Sequence, residues 1–355
     1  MPSSRPPSRP PPRSRTPLNL RLPDLDFDLS QASRRVIEGS LGIVAGDRVV
    51  IVVDTPRGAL GAALSEATRT VGAEAIVVQL DQLGRRPLRA VPASLRGLLE
   101  GAQASILLIG FDEEEWSMRV EYARIVTDLR LRHAHMVGLG RAAMLTGFAV
   151  DHQRVVDATR AVRTRLRPDS VLRMRSTIGT DLEVRLHPRH RWQERVGIVR
   201  PGRWENLPSG ELFTCPGEVN GTYVADASLG GQVGANAGVI SRTPVRVEIR
   251  GSVCRSISCP DRAIASQVET LLHNERNADR VGMVVLGTNI GLRDATGEIC
   301  CDQNMPGLHV GFGATFPEQT GAEWDAAMQL VMAATGADVD LDGSPLLRSG
   351  RYLVL

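Results

Sequence analysis

The chain has no lysine: all 42 of its basic residues are arginine. A Schiff-base lysine, a lysine general base and a phosphate-loop lysine are thereby excluded, because each needs an amine that can lose its proton or act as a compact point charge. Taken alone, the arginine dominance reads as genomic composition. Long apolar runs are also missing, and nothing approaches the about eighteen apolar residues of a membrane-spanning helix, so no membrane partner is expected. Nor is there an excess of either charge. The formal net charge is +2, and Arg5, Arg9, Arg13, Arg15 and Arg21 alone exceed it. The remainder is near neutral and offers nucleic acid no basic surface.

Cysteine is limited to Cys215, Cys254, Cys259, Cys300 and Cys301, an odd number crowded into the second half. With no export signal, that usage predicts a reducing, cytoplasmic location. The spacing is unlike a zinc knuckle, and adjacent Cys300 and Cys301 are poorly placed to bind one tetrahedral ion, so the thiols read as small apolar residues. The opening MPSSRPPSRPPPRSRTP lacks the apolar core of a signal peptide, and its proline and arginine content predicts a disordered tail over 1–28.

What is present is ordinary globular usage, 42% hydrophobic and 23% charged in 355 residues, enough for two domains with their own cores. RVVIVVD, from Arg48 to Asp54, is a continuous β-branched run and predicts a strand buried on both faces. A helix over Gly58 to Val71, the strand AEAIVVQL, a helix over Ala93 to Glu100 and the strand ASILLIG follow in alternation. That order predicts an α/β fold with a doubly wound parallel sheet over 29–168, ending at the proline of TRAVRTRLRP. Beyond it, short alternating strands, turn glycines and a helix at Arg262 to Asn274 predict a C-terminal α+β domain over 169–355 with a mixed or antiparallel sheet. The turn TPRGALG lacks the G-x-G-x-x-G spacing of a dinucleotide site. The acids Asp112 to Glu115 read as a solvated turn, and His133 and His135 as structural residues on one side of a strand.

Several landmarks then occur in a fixed order: GTDL at Gly179, NLPSGELFTCP from Asn206, LGTN from Leu286, GLHVGFG from Gly307, Trp324-Asp325, and LDGSPLLRSG near the end. In this series the chain resembles the aminopeptidase T family of metallopeptidases, from about Arg34 onward. NLPSGE with TCP is the most specific element. The resemblance implies a homodimer that hydrolyses a peptide or peptide-like amide and carries divalent metal at two glutamates, two histidines and an aspartate, with a tyrosine nearby. Glu211 stands at the first glutamate, His309 at the first histidine and Asp325 at the aspartate. Met283 replaces the second glutamate, Glu323 the second histidine and Phe316 the tyrosine.

The resemblance therefore implies a single divalent metal, zinc, manganese or iron, held by Glu211, His309, Glu323 and Asp325, with Glu211 or Glu323 as general base. Two other readings follow from the same frame. The loss of polar function at Met283 and Phe316 suits a catalytically inactive relative that binds a peptide or small molecule. The fold is also shared with dihydroxypyridine dioxygenases, which hold ferrous iron by two histidines and a carboxylate. His273, the upstream candidate for a second histidine, reads instead as a helix-surface residue.

Overall fold

The computed structural model describes residues 25–353, and the expected tail over 1–24 lies outside them. A helix, Leu25–Arg34, begins within the last residues of that expected span.

Strand Arg48–Val53 is the hub of a parallel sheet in the order Glu74–Gln79, Arg48–Val53, Ala104–Leu108, Arg132–His135, Arg203–Asn206. Its residues alternate between two cores. Val49, Ile51 and Val53 pack with Leu60 and Leu64 of helix Gly58–Thr70 on one face. Val50 and Val52 pack with Leu95, Leu99, Met118 and Tyr122 on the other. Burial on both faces is why the run reads apolar without alternation.

The fifth strand, Arg203–Asn206, comes from beyond Pro168, so the chain returns to the first sheet after the predicted boundary. It is an edge strand whose side chains are largely exposed, so its place is set by backbone pairing rather than by an apolar pattern.

The remaining strands form two antiparallel sheets of eight and five strands. No mixed sheet is needed, because the parallel pairs all lie in the first sheet. The five-stranded sheet runs Gln329–Met332, Gly307–Gly313, Val281–Gly287, Glu211–Thr214, Gln193–Arg195. Its Leu212, Val284, Leu286, Leu308 and Val310 enter a core shared with Leu182, Val184, Tyr223 and Val247 of the eight-stranded sheet. Because side chains alternate across a sheet, Glu211, Phe213, Met283, Val285 and His309 occupy the opposite face. Among the described residues no helix is long and apolar enough to cross a membrane.

Candidate functional site

The motif NLPSGE carries the chain from the parallel sheet to the five-stranded one. Asn206 ends the last parallel strand and Glu211 begins the next, with four residues between them. Gly210 has φ +132, and a Cβ there would lie 2.8 Å from the Asn289 backbone nitrogen, so only glycine fits. LGTN closes onto this crossing. Thr288 N donates to the Gly210 carbonyl at 2.6 Å. Asn289 Nδ2 donates to Gly147 O at 2.9 Å and Ser209 O at 3.0 Å, and Asn304 Nδ2 donates to Pro208 O at 3.3 Å. Both landmarks thus lace the two halves together, and their chemistry there is structural. Ser40 Oγ and His152 Nε2 are buried without partners in a small cavity beside this junction, an arrangement suited to a bridging water. Asn289→Ala strands two buried carbonyls and is expected to cost about 2–3 kcal/mol in chemical unfolding. A loss no larger than that of an exposed Asn→Ala change would refute the lacing.

Glu211 is 8% exposed. Gln303 Nε2 donates to its Oε2 at 2.9 Å. Burial pushes its carboxyl up to about 7, against the pull of Arg195 and the Gln303 bond. Beside it, Phe213, Met283, Val285 and Val331 form an apolar cluster with Ile299 and Phe316. The Phe213 and Phe316 rings meet at 5.9 Å. The positions where the resemblance implied a glutamate and a tyrosine are therefore joined by apolar packing.

The other sequence-derived site residues do not gather around Glu211. His309 is fully buried. Its Nε2 donates to Met305 O at 2.9 Å, and its Nδ1 accepts from Ala334 N at 3.2 Å. Burial lowers its pKa to about 4, so the imidazole is neutral with both nitrogens engaged. The Glu323 side chain is 76% exposed and pairs with Arg189 at 2.9 Å. Asp325 Oδ1 accepts from Thr315 N at 2.7 Å and tethers its own loop. Among the described residues no group of three or more His, Cys, Asp or Glu side chains is arranged to hold a metal ion. His273 is exposed and bonds Glu269 O from a helix end, and the five cysteines are free thiols.

The segment 298–303 brings Gln303 and Cys300 to Glu211 and carries a second buried acid. Glu298 precedes the short helix Ile299–Asp302, and its carboxylate oxygens accept from Gly140 N at 3.0 and 2.9 Å. Burial raises Glu298 to about 7 as well. Cys300 lies within electrostatic reach of Glu298, Arg119 and Glu211, and burial pushes its thiol up to about 11, so it is no nucleophile near neutral pH. Gln303, one turn on, provides the bond to Glu211. Of the acids after strand Ala104–Leu108, Glu113 and Glu114 are exposed as a solvated turn requires, but Glu115 is not. Glu115 is fully buried and takes a guanidinium fork from Arg86, at 2.8 Å from Nε and 2.5 Å from Nη2. His133 and His135 lie on strand Arg132–His135 with ring centroids 5.8 Å apart.

The model of the NicX family, 2,5-dihydroxypyridine 5,6-dioxygenase, matches residues 143–289. No curated protein sequence matches the chain. Among solved structures, 2,5-dihydroxypyridine dioxygenase from Pseudomonas putida superposes with a TM-score of 0.64 at 18% identity, covering 92% of this chain and 97% of the other. Wild-type AmpT from Thermus thermophilus gives a TM-score of 0.64 at 18% identity, covering 93% of this chain and 100% of the other. At such identity these likenesses establish the fold, and both structures share it along nearly their whole length.

Proposed function

We propose that this protein is a hydrolase of a peptide or peptide-like amide, with Glu211 as general base. The observation that carries this reading is the placement of Glu211. It is a buried carboxylate at the first position of its strand, directly after the crossing between sheets, and among the described residues only its Oε2 is taken by a side chain, Gln303. Oε1 is left to take a proton from a water attacking a carbonyl carbon. A base whose carboxyl titrates near neutral pH is suited to that transfer. Glu298, raised to the same range across Cys300, is suited in its protonated form to return a proton to the departing amine. The fold shared with AmpT supports the choice of amide chemistry.

A divalent metal, zinc, manganese or iron, is the cofactor this family frame implies. The donors as arranged do not fit one, because His309 has both nitrogens bonded to backbone, Glu323 pairs with Arg189 at the surface and Asp325 caps Thr315. The proton transfers are accordingly assigned to carboxylates alone. The second reading, a ring-opening dioxygenase, is favoured by the NicX match over 143–289, a span that contains Glu211 but neither His309 nor Asp325.

The test is amine release from a panel of dipeptides and aminoacyl anilides, with oxygen uptake on 2,5-dihydroxypyridine run in parallel. Amide hydrolysis should follow a bell-shaped pH profile centred near 7, rising as Glu211 loses its proton and falling as Glu298 loses its own, and Glu211→Gln should lower kcat about 100-fold or more. Oxygen uptake without amide hydrolysis would transfer the site to the dioxygenase reading. Hydrolysis unchanged by Glu211→Gln would remove the base.

A further inference from the structure

Arg119 lies on helix Trp116–Asp128, which follows the carboxyl end of strand Ala104–Leu108. The residue is 7% exposed. Its guanidinium carbon sits 4.8 Å from the Phe111 ring centre and 5.4 Å from that of Trp116. Little hydrogen bonding compensates for this burial. Among the described residues Nε is buried with no partner, and Nη2 reaches only the Asp112 carbonyl, at 3.4 Å. Among the described residues no carboxylate forms an ion pair with it. The buried acid one turn before it, Glu115, is taken by Arg86. The two rings offset part of the cost of burying the cation, but a buried charge ordinarily carries a counter-ion and a full set of hydrogen bonds.

Glu115, Asp112 and Glu113 favour the Arg119 cation from a distance, but among the described residues none pairs with it, and burial still lowers its pKa. His135, at the end of its strand, is held neutral by burial, and the Cys300 thiol is likewise uncharged near neutral pH. Cys300 is in turn within electrostatic reach of Glu298 and Glu211, and Glu211 shares a strand face with Phe213 of the apolar cluster that includes Met283 and Phe316. In open parallel sheets, ligands enter at the carboxyl ends of the strands, which is where His135 and the Phe111 loop stand.

We propose that Arg119 anchors an anion subsite for the carboxylate of a small monocarboxylate whose apolar body extends past Cys300 toward Glu211. The guanidinium fork matches a carboxylate with two parallel N–H bonds, and Nε is a donor still unused. Glu298 and Glu211 on the far side disfavour a multiply charged phosphate, and the apolar cluster suits a hydrocarbon or aromatic body. The anchor stands on Arg119's own surroundings. Only the direction in which the ligand extends rests on the Glu211 reading.

Benzoate is the probe and benzamide its uncharged control, with binding read from tryptophan fluorescence and calorimetry on the full chain. Wild-type protein should bind benzoate saturably and at least tenfold tighter than benzamide. Arg119→Met should abolish that preference while folding as stably as wild type, since it removes an unpaired buried cation. Arg119→Lys, which keeps the charge and loses the fork, should fall between them. Trp116→Phe should remove most of the fluorescence change and keep the heat of binding. Equal affinity for benzoate and benzamide, or benzoate binding unchanged in both Arg119 variants, would overturn the proposal. Glu211→Gln should still bind benzoate even where amide hydrolysis is lost, so the two readings fail separately.

Discussion

Replacing Arg86 by methionine is expected to destabilise the protein by about 3–5 kcal/mol, because it leaves buried carboxylates without their cation. Arg86 reaches Glu115 with two nitrogens and Asp54 with a third, at 3.1 Å for the last. The Asp54 and Glu115 side chains are only 3% and 1% exposed. Asp54 follows strand Arg48–Val53 and accepts from Gly110 N at 2.5 Å, just past strand Ala104–Leu108. From Arg48–Val53 the sheet extends to Glu74–Gln79 on one side and Ala104–Leu108 on the other, so Arg86 fills the switch-point crevice that similar folds leave to ligands. Its guanidinium pKa is raised, first by the Glu115 bond. Chemical unfolding of Arg86→Met, with Arg86→Lys retaining charge but not the fork, measures the effect. The Met deficit should shrink in acid as the stranded carboxylates take up protons. A deficit below about 1 kcal/mol would mean that Arg57, 3.1 Å from Asp54, suffices for the network.

How much of this was legible in the sequence depends on where each residue finds its partners. Arg48–Val53 could be read because burial on both faces leaves an unbroken apolar run, and Ala93–Glu100 because its leucines recur at helical spacing. Arg203–Asn206 could not, since an exposed edge strand carries no apolar signature and its partner lies some seventy residues away. The landmarks NLPSGE and LGTN were visible as landmarks, yet their chief work is the lacing through Asn289, a geometry no spacing rule encodes. Glu211 was identified from its motif, whereas Gln303 was missed because it approaches Glu211 only in three dimensions. Glu115 was read as solvated because its cation arrives from a separate loop. The surface pairing of Glu323 with Arg189 and the backbone bonds that occupy His309 are equally distant in sequence. Local periodicity, in short, marks which faces are buried; which polar groups meet across those faces is a property of the assembled sheets.

Glu211→Gln is expected to match wild type in stability near pH 4.5 and to exceed it by about 3 kcal/mol above pH 7. The folded protein holds this carboxyl at about 7 against an ordinary 4.5, chiefly through burial. The folded state therefore binds the proton more tightly than the unfolded one. Its stabilising contribution is complete below about 4.5 and is lost as pH rises through about 7, at about 1.36 kcal/mol per pH unit. Glutamine stays neutral and can still accept from Gln303, so its curve lacks this decline. Glu298, raised to the same range, leaves a residual slope that Glu298→Gln reduces, Glu205 and Asp302 being raised by burial as well. The same unfolding curves distinguish a proton-carrying Glu211 from a metal-holding one, because an ion bound only to the folded state stabilises it by mass action. With the donors as they stand, added zinc, manganese or ferrous ion should leave both proteins unchanged. If metal stabilised wild type, and both Glu211→Gln and His309→Ala abolished the gain, His309 must exchange its bonds to Met305 and Ala334 for the ion. The base assigned to Glu211 would then be a ligand instead.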